Sequence, residues 1–263
     1  MQILIPMTGH GSRFVAEGYR RLKPFIKIHN IPMIELVIKM FPGDHKNITF
    51  ICREEHLKKN KYISRELKRI APESNIFSVK NWKKRGPVSD VLRASEIIQD
   101  DKPVLVSYCD FFADWEYKRF LNYIKIHDPD GVIPCYTGFH PHLIYASNVY
   151  ATCEVNSKNR LIKIREKFQL NDDKFMDLQS PGLYYFKSGI LLKKYCKKLM
   201  KKKNTSINGE YYMSLPFNDM VSDNYKIMCP PLVKHFCQWG TPRDLEEYNF
   251  WMSCIEKSNS QKL

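Results

Sequence analysis

The chain has 263 residues, a length that suits one large domain or two small ones, with 43% hydrophobic and 13% aromatic residues to bury a core. Its 42 basic against 28 acidic residues give a formal charge of +14, a balance suited to nucleic acid or to phosphorylated small molecules. Nothing in the sequence resembles a signal peptide, and the first apolar run falls far short of the roughly 20 residues of a spanning helix, so a soluble, cytoplasmic protein is expected.

In chain order, Ile3, Leu4 and Ile5 form a continuous apolar run, as in a strand buried on both faces. MTGHGSRF (7–14) follows at once, and its two glycines suit either a plain turn or the close approach of a ligand. FIKIH reads as a strand. PMIELVIKMF reads as a helix, because Ile34, Val37, Ile38 and Phe41 follow the i, i+3, i+4, i+7 rule, with Pro32 at its start. NITFIC (strand), one charged helix over about 54–70, NIFSVKN (strand), VSDVLRASEII (helix) and PVLVSYC (strand) come next. Such alternation predicts a largely parallel sheet covered on both faces.

The second half changes character. GVIPCY, NVYATCEV and LIKIREK read as strands, the last two joined as a hairpin through Asn156 to Asn159, and LYYFK as another. In KKYCKKLMKKKN (193–204) and the residues before it, Leu191, Leu192, Tyr195 and Leu199 recur at helical spacing, which predicts an amphipathic helix with a solvated lysine face. Further helices are expected near 209–222 and from about 242. The eight cysteines, at 52, 109, 135, 153, 196, 229, 237 and 254, make no CxxC pair, which argues against a zinc ribbon or disulfide frame and for reduced, mostly buried thiols. His140 and His142 share a face if HPH is extended, but no cysteine or carboxylate stands at ligand spacing beside them.

In open parallel sheets, ligands sit beyond the carboxyl ends of the strands, and three features fall there. The loop Thr8 to Arg13 has glycines that let backbone N–H groups approach a phosphate, although it is neither a Walker loop nor GxGxxG. Lys23 in LKPF is either one more surface lysine or a partner for a transferring phosphoryl group. Asp110 in VLVSYCDFF is either a turn residue or a Mg²⁺ ligand beside the phosphates. Together they describe a site for a nucleotide with its metal. No helix-turn-helix, zinc or RNP pattern supports nucleic-acid binding.

TGHGSRF, LKPF and NIPMIE, in that order, resemble the GxGxR, PKP and GKPMI elements of the nucleotidyltransferases that activate sugar 1-phosphates and phosphocholine. KRGPVSDVL, SYCDFF, IREK, SPGLYYF, GEYY and WGTPRDLEEY extend the resemblance over nearly the whole chain. It implies a Rossmann-like, GT-A-like α/β fold: a mainly parallel sheet flanked by helices, with a small subsidiary β element. It also implies one domain over 1–263, whose nucleotide half is about 1–130 and whose acceptor half is about 131–263. The resemblance makes Lys23 and Arg13 the catalytic cations, and places Gly9, Gly11, Ser12 and Arg13, with Thr8 of the same loop, on the triphosphate. Gly86, Pro87 and Ser89 would face base and ribose, Asp110 would hold Mg²⁺ or Mn²⁺, and Glu166, Lys167, Gly182 and Glu210 would serve the acceptor.

Two positions depart from the family pattern. Gln238 in FCQWGTP stands where many sugar-phosphate members place a second metal carboxylate, and Ile31 replaces the lysine of the GKPMI element. Within the family, MTGHGSRF…YRRLKPFIKIHNIPMIE with SYCDFFADW is most similar to members acting with CTP on L-glutamine phosphate in capsular phosphoramidate modification. The partners expected are therefore CTP and a phosphorylated small-molecule acceptor, with neither nucleic acid nor membrane; nothing in the sequence sets an oligomeric state.

Overall fold

The computed structural model describes residues 1–140, 150–202 and 205–260. Its first half runs β1 (Gln2–Pro6), α1 (Ser12–Ala16), β2 (Lys27–Ile28), β3 (Ile31–Pro32), α2 (Met33–Lys39), β4 (Ile48–Arg53), α3 (Glu54–Lys59), α4 (Tyr62–Ile70), β5 (Asn75–Val79), α5 (Pro87–Arg93), β6 (Val104–Ser107), β7 (Phe111–Trp115) and α6 (Tyr117–His127). The second half adds β8 (Gly131–Val132), β9 (Ala151–Val155), β10 (Leu161–Glu166), β11 (Leu178–Ser180), β12 (Leu183–Phe186), α7 (Gly189–Lys201), α8 (Pro216–Ser222), β13 (Ile227–Met228), β14 (Val233–Gln238) and α9 (Pro242–Ser260).

Seven strands form the central sheet in the order β13-β8-β12-β6-β1-β4-β5. β1 pairs in parallel with β4 and β6, and β4 with β5, while β12 runs antiparallel between β6 and β8. The apolar run at the start of the chain now has its reason: Ile3 and Ile5 enter one core cluster and Leu4 the cluster on the opposite face. A mixed α/β, Rossmann-like fold with a mainly parallel sheet and small antiparallel sheets results. The lysine-rich segment is helical as far as Lys201, with Leu192, Tyr195 and Leu199 buried. No helix among the described residues is long and apolar enough to cross a membrane.

Several expected elements take a different form. The charged helix over 54–70 is two helices, because α3 buries none of its residues and ends at Asn60, where no apolar stripe carries it onward. FIKIH is a short hairpin arm preceded by a 3-10 turn at Lys23–Phe25, and it reverses through His29 and Asn30, both at positive φ. Of the helix expected near 209–222, only Pro216–Ser222 is helical. Its first part is a tight turn in which Ile207 and Glu210 exchange backbone hydrogen bonds around Asn208 and Gly209, an Asn-Gly signal that suits a two-residue hairpin. Pro32 is paired in β3 and caps α2 rather than opening it.

The hairpin between β9 and β10 forms as expected, with Asn156 N donating to Arg160 O at 3.0 Å. Strands β7, β11, β13 and β14 carried no expectation. β7, directly after Asp110, pairs antiparallel with β14 in the register Gln238↔Phe111, and this returns the far end of the chain to the carboxyl edge of the main sheet.

Candidate active site

β1 delivers the chain out of the sheet at Pro6 into the loop Met7–Gly11. Gly11 is required there twice over. It lies at φ +61, and a Cβ on it would stand 3.1 Å from Lys23 Cβ. The loop and the 3-10 turn of LKPF therefore pack directly on each other, with Pro24 and Phe25 buried beneath. Lys23 Nζ reaches Asp110 Oδ2 at 2.8 Å and lies 3.4 Å from Gly240 O. Asp110 is held by its own backbone, whose carbonyl accepts from Trp239 N at 3.2 Å. Four chain segments thus meet at one ion pair, whose side chains keep only 15% and 26% of their exposure.

Behind the loop lies a buried polar network. Thr8 is 2% exposed; its hydroxyl donates to Asp90 Oδ2 and its carbonyl accepts from Arg53 Nε. Trp82 Nε1 donates to the other Asp90 oxygen at 2.7 Å, and the Arg53 guanidinium lies 3.4 Å from the Trp82 ring centroid. Burial pushes the Asp90 carboxyl up, while the bonds from Thr8 and Trp82 and the Arg53 charge pull it down. The same surroundings lower two histidines. Burial, then Arg53, pushes His10 down, and burial, Arg53 and His10 bring His56 to about 4.

A cleft of about 740 Å³ opens over the loop, bordered by Gly9, Gly11, Ser12, Arg13, Lys23, Lys84, Asp110 and Glu210. It continues into a lobe of about 260 Å³ bordered by Trp82, Gly86, Pro87, Asp90, Tyr108 and Tyr212. The two share Gly9, His10, Lys84, Cys109, Asp110 and Glu210, and together match the concave form of a small-molecule site. Lys84 Nζ pairs with Glu210 Oε1 at 3.1 Å across the shared rim.

The residues singled out in the sequence thus divide into three groups. Gly9, Gly11, Ser12, Arg13, Lys23, Gly86, Pro87, Asp110 and Glu210 converge on this cleft. Thr8 borders the smaller lobe but turns its hydroxyl away to Asp90, and Ser89 is buried in α5 without bordering either lobe. Gly86 is tight against protein: at φ +84, a Cβ there would lie 2.6 Å from Tyr211 N. Gly182, at φ +106, packs on the Tyr108 ring, 3.0 Å from a built Cβ.

Glu166 accepts from Ser214 Oγ, and burial raises its carboxyl against the pull of that bond and of Lys167. Lys167 is exposed at φ +53, its N–H donating to Tyr150 O at 2.8 Å. Glu166, Lys167 and Gly182 border neither lobe. Gln238 borders a separate, mainly apolar cavity of about 340 Å³ with Trp239, Asp244 and Tyr248. His140 stacks on Phe236 at 4.3 Å, and His142 lies outside the described residues.

Sequence reasoning missed His10, Arg53, Trp82, Lys84 and the Gly240 carbonyl. Lys84 stood in the quoted KRGP element but among many other lysines, and Arg53 ends an otherwise apolar strand with nothing local to mark it.

Magnesium prefers oxygen ligands, keeps several waters and is commonly held by one or two carboxylates with substrate phosphates. Asp110 fits that pattern: one oxygen takes Lys23, and among the described residues no hydrogen bond occupies the other, on the wall of an open cleft.

Residues 3–224 match the family model for nucleotidyl transferases. No curated protein matches the chain. Among solved structures, a nucleoside-diphosphate-sugar pyrophosphorylase from Vibrio cholerae superposes with a TM-score of 0.77 at 18% identity, over 94% of this chain and 99% of that one. A Bacillus anthracis protein described as a glucose-1-phosphate thymidylyltransferase, solved with a sucrose, gives 0.73 at 14%, over 95% and 94%. A UDP-glucose pyrophosphorylase complexed with UDP-glucose gives 0.70 at 13%, over 97% and 98%. At such identities these likenesses speak for the fold, and the family match over most of the chain speaks for descent: the chain belongs to the nucleotidyl transferase family.

Proposed function

We propose that this enzyme transfers CMP from CTP to the phosphate of L-glutamine phosphate, giving CDP-L-glutamine and pyrophosphate, in capsular polysaccharide phosphoramidate modification. The single observation that carries the reaction class is the Lys23–Asp110 pair at 2.8 Å, set on the wall of the glycine-loop cleft. The acceptor phosphate oxygen is already a nucleophile at neutral pH, so no general base is needed. It attacks the α-phosphorus in line as the bond to pyrophosphate breaks. Lys23 and Arg13 offset the charge that grows on the α-phosphate and on the leaving group, through positioning and electrostatics. Asp110 would hold Mg²⁺, or Mn²⁺ in its place, and the ion would supply positive charge against the triphosphate. Gly9, Gly11 and Ser12 admit the triphosphate, and Gly86 and Pro87 border the base and ribose. The net charge of +14 steers anionic substrates to the cleft.

The choice of CTP and of an amino-acid phosphate rests on the resemblance of MTGHGSRF…YRRLKPFIKIHNIPMIE and SYCDFFADW, and Gln238 and Ile31 in place of sugar-type residues are compatible with it. We assign the acceptor to the half beyond about residue 130, with Glu210, which borders the cleft, serving it; Glu166, Lys167 and Gly182 stand outside both lobes and their part in acceptor binding rests on the resemblance alone. A sugar 1-phosphate is the second reading, favoured by the nucleotide-sugar enzymes among the structural neighbours.

Pyrophosphate release separates the readings. CTP, UTP, dTTP, ATP and GTP are each paired with L-glutamine phosphate, glucose 1-phosphate and phosphocholine in the presence of Mg²⁺. Turnover confined to CTP with L-glutamine phosphate is the expected result. Turnover with glucose 1-phosphate or phosphocholine keeps the reaction class and discards the acceptor, and silence from folded protein refutes both.

A further inference from the structure

Three cysteines far apart in the sequence come together in the core of the second half. Cys135 follows β8, Cys153 is central in β9, and Cys229 follows β13. All three are buried, at 0%, 2% and 0% exposure. Their sulfurs all lie within 4.8 Å of one another, with Cys135 Sγ and Cys153 Sγ 3.7 Å apart.

Backbone bonds fix this convergence. β13 pairs in parallel with β8 and carries Cys229 past its end, where Cys229 N donates to Asn159 O at 2.8 Å. Cys135 N donates to Pro230 O at 2.8 Å, and Cys135 O accepts from Val233 N at 3.2 Å. Cys153 is set by its register opposite Ile164 on one side and Leu178 on the other. The triad is therefore preorganised, with Cys153 held in β9 of the three-stranded sheet and Cys135 and Cys229 just past β8 and β13 of the central sheet.

We propose that Cys135, Cys153 and Cys229 form a three-sulfur site for one soft, thiophilic metal ion of the copper(I) class. With metal–sulfur bonds of about 2.3 Å, a trigonal complex spaces its sulfurs about 4 Å apart, inside the range these thiols already span. A shift of a few tenths of an ångström centres the ion. Thiolate ligands select soft ions, and zinc in a closed structural site takes four ligands in tetrahedral array. No fourth histidine, cysteine or carboxylate joins the group among the described residues.

Binding replaces sulfur-bound protons, which leave to solvent as the sulfur–metal bonds form. Cys52 and Cys196 are buried thiols outside this group. Three apolar-packed thiols with no ligand are the alternative, and their behaviour with metal differs.

The test uses the reduced, full-length chain under anaerobic conditions, equilibrated with Cu(I) against a chromophoric Cu(I) chelator, and separately with Zn(II). One Cu(I) per chain by native mass spectrometry is expected, with X-ray absorption giving three sulfurs at about 2.3 Å. Cys153→Ala should weaken binding by more than about 100-fold, beyond the effect of an outer-shell partner, while Cys196→Ala leaves it unchanged. Failure to bind Cu(I), a preference for Zn(II), or equal binding by both variants overturns the proposal. Should Cys153→Ala not fold, the absorption spectrum of the unmodified chain decides: fewer than three sulfurs, or nitrogen and oxygen in the shell, overturns it as well.

Discussion

Removing Lys23 separates a catalytic role from a structural one, because the structure makes the two costs unequal. The side chain is 15% exposed and its partner Asp110 26%, so both ends of the 2.8 Å pair keep contact with solvent. A pair of that kind contributes about 1 kcal/mol or less to folding, and the Asp110 carboxylate left behind can hydrate from the cleft. In the reaction, the same ammonium faces charge growing in a confined cleft, where losing one such donor costs about 2.7–4 kcal/mol, roughly 10²–10³-fold in rate. Lys23→Ala should therefore unfold in urea within about 1 kcal/mol of the parent while kcat falls by that factor. A third readout follows from geometry: Lys23 occupies Asp110 Oδ2, so the variant should half-saturate at a lower Mg²⁺ concentration than the parent. Unchanged kcat, or a rate loss that merely tracks lost folding, would refute the assignment of Lys23 to the chemistry.

Two glycines of the cleft should behave oppositely. Gly86→Ala places a methyl 2.6 Å from the Tyr211 backbone at φ +84, so strain and overpacking together should cost about 2–5 kcal/mol in urea unfolding. Gly9→Ala meets nothing within 4 Å and should leave stability within about 0.5 kcal/mol while raising KM for the nucleotide; an unchanged KM would remove Gly9 from the triphosphate site. For pH, His56 is held from its usual 6.5 to about 4 by burial, then by Arg53 and His10. The unfolded chain binds the proton that the folded chain refuses, so this contribution is complete above about 6.5 and is lost as pH falls towards 4. The urea midpoint of His56→Gln should decline less than the parent's over that window, and parallel declines would exclude His56 as a source.

Much of the main sheet was legible because it is written locally. β1, β4 and β6 are short apolar runs buried on both faces, and α2 and α7 show their buried stripes at helical spacing. What was not legible depends on pairing between distant segments. FFADW and VKHFCQ become strands because they pair with each other, far apart in the chain, and neither has clean alternation. The sulfur cluster escaped for the same reason: close ligand spacing cannot reveal Cys135, Cys153 and Cys229, which only the packing of two sheets brings together.

Polarity in a ligand loop is not the same as availability to the ligand, and Thr8 shows why. The loop's composition made Thr8 a candidate for the triphosphate, yet its hydroxyl is spent on Asp90 and its carbonyl on Arg53. Both contacts face inward, and both partners are themselves fixed by Trp82, through the 2.7 Å bond to Asp90 and the guanidinium packed on its ring. The loop is thus tied down from behind by residues of β4 and α5, elements that flank β1 in space but not in sequence. What remains toward the cleft is glycine on either side of His10, then Ser12 and Arg13. An anion site built on close backbone approach requires this division of labour: the polar side chain holds the loop still, and residues without side chains leave room for the phosphates.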